Sequence, residues 1–353
     1  METLQFVRES VKKNRRSREA GHEVCATRAS QKMEIRSRFE IEIGGRVVRL
    51  GERTVTIGVL NVTPDSFSDG GRYLNPAKAI RHGLELARAG ADWIDVGGES
   101  TRPGAKPVSA EEELRRVLPV ICALRGRLAG TPIAIDTTKS EVAEAAIGAG
   151  ATVVNDVSGL RLDPRIATVA SRTGVPLVLM HMRGRPATMQ QKPFARSVWR
   201  SVIRGLAWSV RRALALGVRR EQLILDPGLG FGKSRRQNYE ILAGLGRLRR
   251  FHLPILIGAS RKSFVQAIVA EEGLDPRPDK LAGRWPLTAT RKGKARLPAF
   301  PWGSRDGSTA LDLGDAAAAV AAVLAGAHLV RVHHVASVVP ALRVADAILA
   351  AAR

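Results

Sequence analysis

Polar side chains stand at the ends of the apolar runs of this 353-residue chain. Two carboxylates, Asp136 and Asp226, follow such runs directly, and Asn155 adds an amide. Carboxylate and amide oxygens accept hydrogen bonds from a flat heterocycle with a guanidine-like edge, as in a pterin or a purine. The remaining ends supply cations suited to a phosphate, namely Lys262, Arg331 and His333. These residue types predict a site divided between a nitrogen heterocycle and a phosphate.

Metal ligation by the two aspartates is the competing interpretation. A metal cage built by the protein needs several His, Cys, Asp or Glu ligands at suitable spacings. The sequence contains no His-x-x-x-His pair, and no acidic cluster accompanies Asp136 or Asp226. We therefore expect any metal ion to be held mainly by the phosphates of a ligand.

The segment LILDPGLGFGKS, residues 223–234, ends in Gly-Lys-Ser and so looks like a phosphate loop. A Walker A loop needs a glycine five residues before this triplet, where backbone N–H groups surround the phosphate. Pro227 occupies that position and has no N–H to donate. The GxGxxG spacing of dinucleotide sites also fails, because Lys233 stands three residues after Gly230. The segment therefore needs another role, and delivery of Asp226 from the end of an apolar run is the first indication of one.

The elements that position these side chains follow a regular order. RFEIEIGGRVVRL, from residue 38, is typical of a β-hairpin turning at Gly44 and Gly45. Eight apolar runs then begin near residues 55, 93, 133, 153, 177, 223, 255 and 329, each followed by a helical pattern. Continuous apolar strands indicate a parallel sheet buried on both faces, and eight units predict a (β/α)₈ barrel whose lower end the hairpin covers.

In such a barrel the carboxyl ends of the strands meet in one cleft. The polar residues at these ends also include Asn61, Glu99 to Arg102, His181, and Ser260 to Lys262. Asn155 and Asp136 could each simply cap a following helix, and Lys262 could be solvated. Their shared placement favours one common site.

Composition bounds the class of protein. An apolar content of 44% suffices for a large core, and two cysteines are too few for a disulfide framework. No apolar run reaches the roughly 20 residues of a membrane span, and the amino terminus lacks the apolar core of a signal peptide, so we expect a cytoplasmic protein without a membrane partner.

The net charge of +23 would suit a nucleic-acid binder. However, the basic residues are mostly diffuse, and aromatics amount to only 4%. The arginines from 196 to 212 recur beside Trp199, Ile203 and Leu206, which predicts a solvated helix face, and no nucleic-acid partner is expected. Two basic segments look like appendages: a leader over 1–37, expected to be disordered, and an insertion at about 271–307 within the domain 38–353.

Eight motifs together resemble the dihydropteroate synthase family of pterin-binding enzymes, and they follow that family's order across about residues 40–353. They are GVLNVTPDSFSDGG at 58–71, DVGGESTRPGA at 95–105, IDTTK at 135–139, NDVSG at 155–159, MHMRGRPATMQ at 180–190, LDPGLGFGK at 225–233, GASRKSF at 258–264 and RVH at 331–333.

The resemblance implies transfer of a dihydropterin-6-ylmethyl group from its diphosphate to 4-aminobenzoate, in folate biosynthesis, by a homodimer that uses Mg²⁺. It assigns the pterin edge to Asp136, Asn155, Asp226 and Lys262, and the diphosphate to Asn61, Arg331 and His333, with Asn61 also near Mg²⁺. It assigns 4-aminobenzoate to Thr101, Pro103, Phe231 and Ser263, and catalysis to Asp69, Arg102 and Lys262. The glycines after Asp226 would bring Phe231 over the cleft.

One residue departs from the family pattern, because His334 stands where aspartate usually follows the RVH histidine. His334 either adds positive charge to the phosphate site or points away from it, and we expect the second. Two other functions remain open: a methyltransferase acting on a tetrahydrofolate and a corrinoid protein, and a silent binding paralogue. STRPGA, SRKS and RVH disfavour the first, and retention of Asp69, Arg102 and Lys262 disfavours the second.

Overall fold

The computed structural model describes residues 36–63, 75–101, 105, 107–184, 189, 196–271 and 310–352. The chain enters through an antiparallel hairpin, β1 (Phe39–Ile43) and β2 (Arg46–Leu50), that turns at Gly44 and Gly45. Both glycines have positive φ, which a tight turn of this kind requires. The predicted hairpin is confirmed.

Eight parallel strands follow and form a barrel. They are β3 (Val55–Asn61), β4 (Trp93–Gly97), β5 (Ile133–Asp136), β6 (Val153–Asp156), β7 (Leu177–Met180), β8 (Leu223–Asp226), β9 (Leu256–Ile257) and β10 (Leu329–Val332). They are hydrogen-bonded in the order β8-β7-β6-β5-β4-β3-β10-β9. A parallel bridge between Leu225 and Ile255 joins β8 to the segment entering β9. The predicted (β/α)₈ barrel is therefore confirmed.

Helices cover the outside of the barrel. They are α1 (Pro76–Arg88), α2 (Ala110–Arg127), α3 (Ser140–Ala149), α4 (Arg165–Thr173), α5 (Val198–Ala215), α6 (Arg235–Ala243), α7 (Ser263–Glu271), α8 (Ala310–Leu324) and α9 (Val335–Ala351). Side-chain caps fix several amino ends: Ser109 accepts from the N–H of Glu112, and Ser234 forms a capping box with Gln237. On α5, Arg200, Arg204, Arg211 and Arg212 are exposed while Trp199 and Leu206 are buried, as predicted for this helix. No helix in the described ranges is long and apolar enough to cross a membrane.

The inside of the barrel is divided into an apolar and a polar layer. Near the amino ends of the strands, one buried cluster combines hairpin residues with Ile57, Trp93, Ala134, Val153, Val178, Ile224, Leu256 and Leu329. Side chains two residues apart on a strand share a face. The residues two positions after Trp93, Ala134, Val153, Ile224 and Leu329 are Asp95, Asp136, Asn155, Asp226 and Arg331. The hairpin therefore closes the apolar end, and the strand period places the polar set above it.

Contacts with the barrel begin two residues before the predicted domain boundary at residue 38. Arg36 is 3% exposed and donates to Thr54 Oγ1 (2.7 Å), to the carbonyl oxygen of Ala327 (3.1 Å) and to Asp346 Oδ1 (2.5 Å). A buried arginine with three acceptors belongs to the barrel and not to a solvated leader. The rest of the leader and most of the 271–307 insertion lie outside the described residues.

Candidate active site

The hydrogen-bonding register of the strands aligns three of the predicted polar residues at the carboxyl end of the barrel. Asn61 pairs with Gly97, Gly97 with Asp136, and Asp136 with Asn155, across β3 to β6. An ideal Cβ on Gly97 would lie 3.5 Å from Asp136 Cβ and 3.9 Å from Asn61 Oδ1. The neighbouring strands thus bring Asn61, Asp136 and Asn155 to one level of the cleft, as the sequence predicts.

Asp95, in the middle of β4, also belongs to this group, and it was not among the predicted site residues. Its carboxylate is 1% exposed, and its Oδ2 accepts from Asn155 Nδ2 (3.1 Å) and from Arg331 Nε. Its Oδ1 accepts no hydrogen bond from the described residues. The signal in the sequence is an aspartate inside an apolar strand, two residues after Trp93 on the face that points into the barrel.

Arg331 joins the predicted heterocycle half of the site to the predicted phosphate half. Its guanidinium forms ion pairs with Asp95 and with Asp136, the latter through Nη2 and Oδ2 at 2.7 Å. The planar guanidinium can hold two carboxylates at once, whereas an ammonium acts as a point charge. Arg331 therefore offsets the charge of two carboxylates on the strands where a ligand edge would bind.

Burial changes the acid–base behaviour of the two predicted pterin carboxylates. It raises the pKa of Asp136 to about 7, although the charge of Arg331 opposes the rise. It also raises the pKa of Asp226 to about 6, against the N–H of Gly228, which donates to Asp226 Oδ1 at 2.6 Å. These carboxylates are poorly solvated, so a ligand that donates N–H groups would restore hydrogen bonds lost to burial.

Lys233 explains the segment that resembled a phosphate loop. Its Nζ is buried and donates to three backbone carbonyls, those of His181 (3.0 Å), Gly228 (2.7 Å) and Phe231 (3.0 Å). Burial lowers the pKa of Lys233, but a neutral amine has only two hydrogens for three acceptors, so this geometry requires the ammonium. Lys233 therefore binds its own loop, and the Gly-Lys-Ser triplet has a structural role.

The same loop brings Phe231 to Lys262. The Lys262 Nζ lies 4.3 Å from the centroid of the Phe231 ring, a cation–π distance. Gly230 has φ +82, and a Cβ there would lie 3.1 Å from Lys262 Cδ, so glycine permits this close approach. Burial, assisted by the nearby Arg331, lowers the pKa of Lys262 to about 8, while Asp226 and Asp136 oppose that change.

His333 and His334 point to different partners. His333 contacts the Ser260 hydroxyl through Nδ1 (3.0 Å) and through its backbone N–H (3.2 Å). His334 contacts Ser337 Oγ, and its Nδ1 lies 3.8 Å from Asp312. The Nδ1 side of the His334 ring is thus directed to α8 and α9, and the expectation that His334 points away from the phosphate site stays a prediction.

The structure describes only some of the other predicted site residues. Thr101 is half-buried in the loop after β4, and Ser263 is the exposed first residue of α7. Asp69, Arg102 and Pro103 lie outside the described residues. Within the described ranges, no three His, Cys, Asp or Glu side chains form a group that could hold a metal ion.

Comparison with known proteins shows to which family the chain is similar. The pterin-binding enzyme family matches residues 57–333. The dihydropteroate synthase of Escherichia coli strain K12 is 41% identical over 295 residues, 84% of this chain and 92% of that protein.

Two solved structures of dihydropteroate synthase from Xanthomonas albilineans have the same fold. One, with 4-aminobenzoic acid, is 38% identical at a TM-score of 0.72 and covers 89% of this chain and 99% of the other. The second, in complex with 7,8-dihydropteroate, is 33% identical at a TM-score of 0.67 and covers 88% and 98%. The matched residues reach into every strand of the barrel and include the Asp136, Asn155, Asp226 and Arg331 group, and the chain therefore belongs to the dihydropteroate synthases of the pterin-binding enzyme family.

Proposed function

We propose that this chain condenses (7,8-dihydropterin-6-yl)methyl diphosphate with 4-aminobenzoate to give 7,8-dihydropteroate and diphosphate, a transferase reaction of folate biosynthesis. The observation that carries the proposal is the convergence of Asp95, Asp136, Asn155 and Arg331 at the carboxyl end of the barrel, with the 2.7 Å Arg331–Asp136 ion pair at its centre. The family relationship supports the same reaction.

The substrate roles follow from the donors and acceptors of each side chain. Asp136, Asn155 and Asp226 accept from the N–H groups of the pterin edge, and Lys262 donates to the ring carbonyl. Arg331 and His333 hold the diphosphate. The family resemblance assigns Phe231, Thr101, Pro103 and Ser263 to 4-aminobenzoate, and it assigns Asp69 and Arg102 to catalysis.

The reaction needs no nucleophile from the protein. The bond between the pterin methylene carbon and the diphosphate oxygen breaks, and its electron pair leaves with the diphosphate. The amine nitrogen of 4-aminobenzoate donates its lone pair to the methylene carbon and then loses a proton to solvent. Arg331 stabilises the negative charge that develops on the leaving group, and Asp69 the positive charge on the pterin. The protein contributes mainly position and charge.

Mg²⁺ fits this site only as an ion bound largely by the substrate. Asn61 offers one amide oxygen at the end of β3, and the described residues provide no acidic cluster beside it. Mg²⁺ commonly keeps few protein ligands and binds substrate phosphates. When bound it would neutralise charge on the diphosphate, with Asn61 as its protein ligand.

A direct assay tests the function. Purified protein is mixed with the pterin diphosphate, 4-aminobenzoate and Mg²⁺, and dihydropteroate is measured by chromatography, with Asp136→Asn as the comparison variant. We expect product from the wild type and a loss of at least about tenfold in kcat/KM for the variant, because an amide presents a donor where the pterin also donates. Failure of the wild type to form product would reject the proposal in favour of a binding paralogue.

We also propose that the protein is a homodimer, associating through α7, α8 and α9. Large apolar side chains are exposed on these three helices: Ile268 (46%), Leu313 (59%), Val344 (62%) and Ile348 (45%). Exposed large apolar side chains can mark a protein interface. Val344→Asp should shift the sedimentation coefficient to that of a monomer, whereas Val47→Asp, at an equally exposed valine on the hairpin, should not.

A further inference from the structure

Asp315 on α8 is a buried carboxylate that is linked by hydrogen bonds to His333, one of the residues predicted to bind the diphosphate. Asp315 itself is not among those predicted residues. Asp315 is 2% exposed, and its Oδ2 accepts from the Ser260 hydroxyl at 2.7 Å. Both of its oxygens lie 3.0 Å from the backbone nitrogen of Arg261. Ser260 in turn contacts His333 Nδ1 at 3.0 Å. The three side chains thus form a chain of hydrogen bonds from α8 to the end of β10.

If Asp315 is ionised, the hydrogen bonds that link Asp315, Ser260 and His333 can run in only one direction. A serine hydroxyl has one proton to donate. If Ser260 donates it to the Asp315 carboxylate, the Ser260 oxygen can only accept from His333. The backbone N–H of His333 already donates to that oxygen at 3.2 Å, and Nδ1 must then also carry a proton. Any hydrogen bond from this ring to a diphosphate must therefore come from Nε2.

We propose that Asp315 is a positioning residue that acts through Ser260 to hold His333 with a proton on Nδ1, so that the imidazolium form of the ring donates to the diphosphate through Nε2. The inference rests on the diphosphate role proposed for His333. A carboxylate two hydrogen bonds away also stabilises the imidazolium, in which Nε2 carries a proton that an anionic oxygen can accept. Asp315 would thus favour the charged form that binds the leaving group.

The same carboxylate supports the turn that precedes Lys262. Arg261 has φ +56, a left-handed conformation that is unfavourable for a residue with a side chain. Its N–H, directed to Asp315, helps to hold this conformation next to Lys262. Ser260→Ala removes the hydroxyl that links Asp315 to His333 and keeps the Arg261 contact with Asp315, so it separates the proposed role from the support of the turn.

The alternative network reverses the two side-chain hydrogen bonds, Ser260–Asp315 and Ser260–His333. A protonated Asp315 would donate to Ser260, and Ser260 would donate to an unprotonated Nδ1. Burial raises the pKa of Asp315 above its ordinary value, and Asp312 adds to the rise, although the hydrogen bonds from Ser260 and the Arg261 N–H and the charge of Arg261 oppose it. The two networks predict opposite positions for the proton on neutral His333, so they can be distinguished by experiment.

The decisive measurement is the ¹⁵N spectrum of the histidine side chains in the full-length protein, with His333 assigned through His333→Gln. We expect a protonated Nδ1 in neutral wild-type His333 and loss of that preference in Ser260→Ala. Ser337→Ala is the matched control, because it removes the hydroxyl that contacts the adjacent His334 and should leave His333 unchanged. An Nε2–H tautomer in the wild type, or an unchanged spectrum in Ser260→Ala, would overturn the proposal.

Calorimetry with inorganic diphosphate measures the consequence for binding. Ser260→Ala and Asp315→Asn should each weaken diphosphate binding by about three- to tenfold, while affinity for a pterin without a diphosphate should stay within about twofold. Equal loss of both affinities, or equal values for Ser260→Ala and Ser337→Ala, would contradict a specific role. Neither measurement requires turnover, so an inactive wild type would reject the proposed reaction without deciding this one.

Discussion

At the scale of single residues, the site places charges where water cannot stabilise them. Asp136 and Asp226 both have a pKa above the ordinary carboxyl range because they are buried, and Lys262 has a pKa below its ordinary range for the same reason. Each shift means that the charged form is less stable in the folded protein than in water. A ligand with complementary donors recovers this free energy, which couples substrate binding to the relief of unfavourable burial.

Asp226→Asn should weaken binding while stabilising the free protein. Its folded pKa of about 6 lies above its unfolded value of 3.8, so the stability it contributes in acid is lost as the pH rises through about 6. Asparagine cannot ionise, and the melting temperature of the variant at pH 8 should exceed that of the wild type by a few degrees, a difference that narrows below about pH 6. Calorimetry with a pterin ligand should show affinity lower by about tenfold or more. Unchanged affinity would count against the pterin role.

Lys262→Ala should lower kcat/KM by about 10- to 100-fold, equivalent to about 1.5–3 kcal/mol for a hydrogen bond to a charged group. The wild-type rate should fall as the pH rises through about 8, where Lys262 loses its proton. Lys262→Arg keeps its positive charge in this pH range, so the residual activity of the variant should not fall as the pH rises through about 8. Near-wild-type turnover of the alanine variant would show that Lys262 is misassigned.

Asp136, Asn155, Asp226 and Arg331 could be predicted as site residues from the sequence alone, because the sequence shows where a polar residue ends or interrupts an apolar run. Asp95 was missed because it lies inside its strand, and only the face it shares with Trp93 indicates its role. Asp315 could not be predicted, since its partner Ser260 lies 55 positions away in the sequence, across the insertion. Local patterns reveal position on an element, but not long-range hydrogen bonds.

At the scale of elements, the loop between β8 and α6 depends on one ammonium. Lys233→Met would remove the ammonium from three buried carbonyls, of which that of Gly228 keeps the Phe231 N–H, so we expect a loss of about 2–4 kcal/mol in the free energy of unfolding. The KM for 4-aminobenzoate should rise more than that for the pterin substrate, because the loop carries Phe231. Arg236→Met removes the same charge from an exposed site on α6 and should change stability by less than about 0.5 kcal/mol. Equal effects of the two variants would refute the structural role of Lys233.

The amino-terminal boundary gives a second prediction at this scale. Removal of residues 1–35 should leave stability and activity close to wild type, whereas removal of 1–37 also takes Arg36 from its buried ion pair with Asp346. Breaking one partner of a buried pair costs about 3 kcal/mol or more. Urea unfolding of the two truncations should therefore differ by about this amount, with Arg36→Met in the full chain reproducing the loss. Two truncations of equal stability would return the boundary to residue 38.

At the scale of the whole molecule, the most unusual property is the net charge of +23. The net charge follows from the sequence alone, and the structure shows where part of the positive charge lies. Four exposed arginines stand on the outer surface of α5, namely Arg200, Arg204, Arg211 and Arg212. Charge at this scale affects encounter with substrates more than folding. Both proposed substrates are anions, so a positive molecule should attract them before any specific contact forms.

We therefore expect kcat/KM to fall as ionic strength rises, while kcat at saturation changes little. Salt shortens the screening length from about 30 Å at 0.01 M to about 8 Å at 0.15 M, which removes long-range attraction but leaves buried contacts nearly intact. Replacing the four α5 arginines by glutamate lowers the formal charge by eight and should make the salt dependence shallower, because the variant attracts the anionic substrates less strongly. Initial rates between 20 and 300 mM NaCl, with melting temperatures measured in parallel, test both statements. A kcat/KM that is independent of salt, or a slope unchanged in the glutamate variant, would show that contacts inside the cleft alone determine substrate capture.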